Sequence, residues 1–62
     1  MTVFIRHFSN FFYISNWDVT KIKPQKQYYC NGKWVEKNPQ HFDKKEDAIN
    51  KAKEIGNYVD QT

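Results

Sequence analysis

Tyr28-Tyr29-Cys30-Asn31-Gly32-Lys33-Trp34-Val35 decides the fold. Asn-Gly between two aromatic-rich runs is the strongest short-range signal for a β-hairpin, because both turn residues must tolerate positive φ. A two-residue turn at Asn31-Gly32 pairs Cys30 with Lys33, Tyr29 with Trp34 and Tyr28 with Val35. Side chains alternate across a strand. Tyr28, Cys30 and Val35 therefore share one face, and Tyr29 and Trp34 share the other. Both faces carry apolar bulk, and one helix covers only one of them.

Downstream, Asn38-Pro39 closes the second strand, since proline restricts the residue before it. A helix is predicted over residues 44–55. Asp43 and Glu46 have the spacing of a capping box, and Ala48, Ile49, Ala52 and Ile55 recur as one apolar stripe. Asp47 precedes Lys51 by four residues, the favourable order for a helical ion pair. Gly56-Asn57 reads as the stop.

Upstream, residues 17–22 (Trp-Asp-Val-Thr-Lys-Ile) alternate as a strand ended by Lys23-Pro24. Residues 2–14 read as one or two further strands, with candidate turns at Ser9-Asn10 and Ser15-Asn16. The expected fold is α+β: a small three- or four-stranded antiparallel sheet with one C-terminal helix packed on one face. It forms a single domain over residues 1–62, comprising an aromatic N-terminal segment (1–16), the strands and hairpin (17–42) and the helix (43–56).

Sixty-two residues make a thin core, and domains of this size usually add a staple. Cys30 is the only cysteine, so no internal disulfide forms. The eleven Phe, Tyr and Trp residues supply the bulk instead, and a homodimer is a further route to stability. One unpaired cysteine and no secretory leader fit a reducing, cytoplasmic setting. The most apolar stretch, residues 3–14, is too short and too interrupted to span a bilayer. The net charge of +3 is uneven. Residues 1–41 hold six Lys or Arg against Asp18 and Glu36, whereas residues 42–62 are slightly acidic. A basic front half favours an anionic partner.

From Trp17 onward, a Trp-initiated strand, a Gly32-Lys33-Trp34-Val35 hairpin and Phe42-Asp-Lys-Lys-Glu-Asp-Ala48-Ile49 follow in order. This order resembles a family of short bacterial and phage domains of unknown function. Those domains carry a Trp-x-Val strand, a Gly-Trp hairpin and a Phe-x-Thr-Lys-x-Glu-Ala helix start. The resemblance covers about two-thirds of the chain. Lys44 stands where that family usually has Thr, Trp34 and Val35 are adjacent rather than spaced by one, and residues 3–14 have no counterpart. More distantly, the elements resemble the arm-type DNA-binding domain of tyrosine-recombinase integrases, a three-stranded sheet with one helix that lays its sheet into a DNA groove. That likeness implies architecture more than activity.

Chemistry-bearing residues are sparse. His7, His41 and Cys30 lie on separate expected elements without an orienting motif, so the chain is not expected to be an enzyme. The same three lack the paired spacing of a zinc site, and neither metal nor cofactor is expected. Two constellations remain. Tyr29 and Trp34 beside Lys33 and Lys37, extended by Lys21, Lys23 and Lys26, offer stacking platforms and phosphate-neutralising cations for nucleic acid. The alternative for Tyr29 and Trp34 is a cross-strand pair that stabilises the hairpin. The second constellation, Phe4, Phe8, Phe11, Phe12 and Tyr13, is either added core or a protein interface. The function favoured is a non-enzymatic nucleic-acid-associated module. The alternative is a small regulator or inhibitor, of the kind phages and mobile elements encode, that docks on a host protein.

Overall fold

A computed structural model describes residues 1–62. The chain forms β1 (Thr2–Phe8), β2 (Phe11–Asp18), β3 (Gln25–Cys30), β4 (Lys33–Val35), α1 (Lys45–Ile55) and β5 (Asn57–Asp60). The fold is α+β, with one helix on a five-stranded sheet of order β4-β3-β2-β1-β5. All neighbours are antiparallel except β1 and β5. A parallel neighbour needs a crossover. Here α1 carries the chain from the β4 edge back across the sheet, packing on β1, β2 and β5.

The Asn31-Gly32 hairpin has the register its turn dictates: Cys30 opposite Lys33, Tyr29 opposite Trp34, Tyr28 opposite Val35. Asn31 and Gly32 adopt φ of 48° and 84°, as the turn requires. Ser9, at φ 56°, makes the β1–β2 turn.

Five features depart from the sequence expectations. The sheet has a fifth strand, because residues 57–60 do not trail off but pair with β1 from Thr2↔Asn57 to Ile5↔Asp60. The helix is therefore followed by a strand and is not the C-terminal element. Second, Ser15-Asn16 is no turn: both residues are buried within one long β2. Asn16 donates weakly to Met1 Sδ at 3.5 Å, and its Oδ1 has no partner, a net cost to the fold.

Third, residues 17–22 form no strand of their own: Trp17 and Asp18 end β2, and residues 19–22 are loop. The Asp18 carboxylate accepts the Thr20 N–H at 3.0 Å and the Thr20 hydroxyl at 2.5 Å. This local turn competes with the ladder and leaves Val19 and Ile22 in solvent. Fourth, the helix cap is Lys44, in extended geometry and without a side-chain bond, so Asp43 and Glu46 form no capping box. At the other end Gly56 is extended rather than left-handed. Its requirement is space, since a Cβ there would lie 2.6 Å from the Met1 carbonyl oxygen. Last, Lys51 pairs with Glu54 at 2.7 Å rather than with Asp47.

The core lies between α1 and one sheet face. Val3, Ile5, Ile14, Phe42, Ala48 and Ala52 are buried, ringed by Phe12, Tyr29, Trp34, Ile49, Ile55 and Tyr58. The two alanines let the helix approach closely. Full burial of Val3, Ile5 or Ile14 stabilises by roughly 1.5–3 kcal/mol each. Only eight residues are buried in all, so the half-buried aromatic ring carries much of the remainder.

Residues 40–42 enter the sheet between β2 and β3. Phe12 and Phe42 exchange backbone hydrogen bonds of 2.8 and 2.9 Å, and Gln40 N–H donates to the Tyr29 carbonyl at 2.9 Å. This bridge delivers Phe42 to the core.

Candidate nucleic-acid interface

Alternation sorts every strand residue onto the helix-covered face or the open one. Ile5 and His7 of β1 stand opposite Ile14 and Phe12 of β2 on the covered face, and alternation places Val3 and Asn16 on it too. Phe4, Arg6 and Phe8 share the open face with Phe11, Tyr13, Ser15 and Trp17. The open face continues through Lys26 and Tyr28 of β3, since Ser15 pairs with Tyr28 and Trp17 with Lys26. It ends at Lys33 and Val35 of β4.

The open-face aromatics form a connected layer. Phe8 meets Phe11 edge-on at 5.9 Å, Phe11 lies 6.2 Å from Tyr13, and Tyr13 meets Tyr28 edge-on at 5.6 Å. His41 stacks on Phe11 with centroids 3.6 Å apart. The Lys26 ammonium sits 5.6 Å over the Tyr28 ring, a cation–π arrangement. Phe8 of this layer is 65% exposed, and Trp17, further along the same face, is 51% exposed.

At the end nearest the Ser9-Asn10 turn, this layer floors a cleft of about 750 Å³. Phe8, Phe11, Tyr13 and Tyr28 come from the sheet, and Glu36, Lys37, Asn38, Pro39 and His41 from the chain after β4. Asn38 has φ 61°, and the Asn31 N–H donates to Gln40 Oε1 at 2.9 Å. These features tie the connecting chain beside the cleft.

Charge is sorted by face. Every charged strand residue on the open face is a cation: Arg6, Lys26 and Lys33. The strand acids, Asp18 and Asp60, stand in covered-face register. Asp60 is held there by Lys45, with Nζ 2.6 Å from its Oδ2, and by Thr62. These contacts lower its pKa to about 2.

The structure places the two sequence-derived constellations differently from their grouping in the sequence. Tyr29 and Trp34 do form a cross-strand pair, edge-to-face at 5.7 Å, half-buried against the core on the covered face. Lys33 lies on the other face. Lys37 lines the cleft, and Lys26 borders Tyr28. Lys21 and Lys23 sit in the exposed β2–β3 loop, at the far end of the sheet from the cleft. Of the apolar set, Phe4, Phe8, Phe11 and Tyr13 share the open face, while Phe12 packs toward the core. The structure thus brings Lys26, Lys33 and Lys37 to the face that holds Phe8, Phe11 and Tyr13.

Sequence reasoning missed Arg6, Trp17, Tyr28 and His41 as members of this surface. The signal is an aromatic residue at 11, 13 and 17 along one strand, and a turn at Ser15-Asn16 would hide it. His7 stacks on Phe12 on the covered face, so it does not join His41. No three His, Cys, Asp or Glu side chains come together to hold a metal ion. No helix is long and apolar enough to cross a membrane. The chain matches no family model, no curated protein and no solved structure among those compared.

Proposed function

We propose that this chain is a non-enzymatic binding module that holds a nucleic-acid strand on the open face of its sheet. The observation that carries the reading is the coincidence of two sortings on one face: solvent-facing aromatic rings, and charged strand residues that are all cationic. Aromatics offer π-faces to bases of any sequence, and the cations neutralise phosphates. Lys26 and Lys33 flank Tyr28, and Arg6 lies opposite Tyr13. Bases and backbone would then be engaged by adjacent positions. Tyr29 and Trp34, which the sequence suggested as platforms, act in this reading through the hairpin they stabilise.

A second reading, docking of a protein partner on the same face, is favoured by the exposure of Phe8 and Trp17. Salt separates the two. Binding to single strands weakens with a log–log slope of about 0.7 per phosphate contact. A Lys26→Gln/Lys33→Gln variant should flatten that slope by about 1.4 if both lysines contact phosphate. Lys53→Gln, on the exposed side of α1, should leave it unchanged. A folded double variant with the wild-type slope and affinity would reject the proposal. Wild-type protein without salt-sensitive binding would leave the protein-partner reading in its place.

A further inference from the structure

Building on that reading, we infer that the cleft beside the Ser9-Asn10 turn receives one unstacked base, with a preference for guanine, so that the module selects single strands over duplex. Size is the first support. The cleft is open and measures about 750 Å³, room for one base to lie against its floor without being enclosed.

Its walls are the second. Tyr28, Tyr13 and the stacked Phe11–His41 pair present flat rings, the surface on which splayed-out bases stack. A base paired within a duplex has no free π-face to offer them.

The third support is where the charges lie. Glu36 and Lys37 both line the cleft and offset each other, whereas Arg6, Lys26 and Lys33 lie outside it. A cleft without net charge favours an uncharged group, while the cations outside it hold the backbone. Glu36 and Lys37 together also select among bases. An ionised carboxylate only accepts hydrogen bonds and an ammonium only donates them. Guanine presents two adjacent N–H donors and, next to them, a carbonyl acceptor. Thymine and uracil flank their single N–H with two carbonyl oxygens that a carboxylate repels. Adenine and cytosine each offer one amino donor beside a ring-nitrogen acceptor.

The test is fluorescence anisotropy on the full chain with three probes: a twelve-residue dT strand, the same strand with one central dG, and a twelve-base-pair duplex. Wild type should bind the dG strand more tightly than dT alone and both more tightly than duplex. Glu36→Gln, at an exposed position, should erase the dG preference by bringing the dG strand down to the affinity of the dT strand. Tyr28→Leu should weaken both single strands, on the order of fivefold to a hundredfold for one lost stacking contact. A melting curve on each variant controls for folding. If Tyr28→Leu unfolds, the dG-against-dT ratio with Glu36→Gln still decides.

Equal, salt-sensitive binding of dG and dT strands would overturn the base cleft and leave the open-face proposal standing. Tighter binding to duplex would overturn the cleft in favour of a sheet-in-groove mode. No salt-sensitive binding to any probe would overturn both inferences.

Discussion

At the scale of single residues, polar contacts are few and each has a legible consequence. Asp60 holds Lys45 Nζ at 2.6 Å and accepts from the Thr62 hydroxyl at 2.6 Å and the Thr62 N–H at 3.0 Å. Its pKa falls from an ordinary 3.8 to about 2, first through Lys45 and then through Thr62. A folded pKa below the unfolded one favours the native state above the unfolded value, and that benefit is lost as pH falls through the folded one. Thermal melts should therefore lose stability between about pH 4 and pH 2 more steeply in wild type than in Asp60→Asn. Parallel pH curves for the two proteins would show that the β5 contact does not contribute. The pair is surface-exposed, so the effect is a modest one.

At the scale of elements, the helix start is the weakest-built joint. Lys44 occupies the cap without a side-chain bond and places a cation at the positive end of the helix dipole. Lys44→Asp should stabilise by about 1 kcal/mol, raising the melting temperature by roughly 4–8 °C. Asp43→Ala should change stability by less than about 0.5 kcal/mol. If Asp43→Ala were the costly change, the cap would sit one residue earlier than described.

The same elements show what the sequence could and could not disclose. The hairpin was legible to the residue because an Asn-Gly turn leaves one register available, and the register fixes which rings share a face. The helix was legible from Ala48, Ile49, Ala52 and Ile55. By contrast β5 was hidden, since four residues with only Tyr58 and Val59 apolar carry no periodic signal. Its pairing depends on where α1 delivers the chain. The length of β2 was hidden because Ser15 and Asn16, polar and turn-prone, are buried in mid-strand by tertiary packing. The candidate site inherited the second gap. Sequence alone separated Tyr28 from Tyr29, yet only the docking of α1 decides that Tyr28 is on the open side.

At the scale of the whole molecule, one helix covers one face, and the other is left with rings and cations. A thin core explains why so many aromatics are needed. It does not explain why Phe8 and Trp17 stay exposed, or why no strand acid joins Arg6, Lys26 and Lys33. The proposed nucleic-acid surface would account for both, and a protein partner only for the exposed rings. The most direct test is a ¹⁵N-resolved titration of the folded protein with the dG-containing single strand, following every backbone amide. The account predicts shifts that concentrate on Arg6, Phe11, Tyr13, Trp17, Lys26, Tyr28 and residues 36–41, with Asn50 and Lys53 on the outer side of α1 unmoved. Shifts centred on the helix, or none at saturating oligonucleotide, would contradict it.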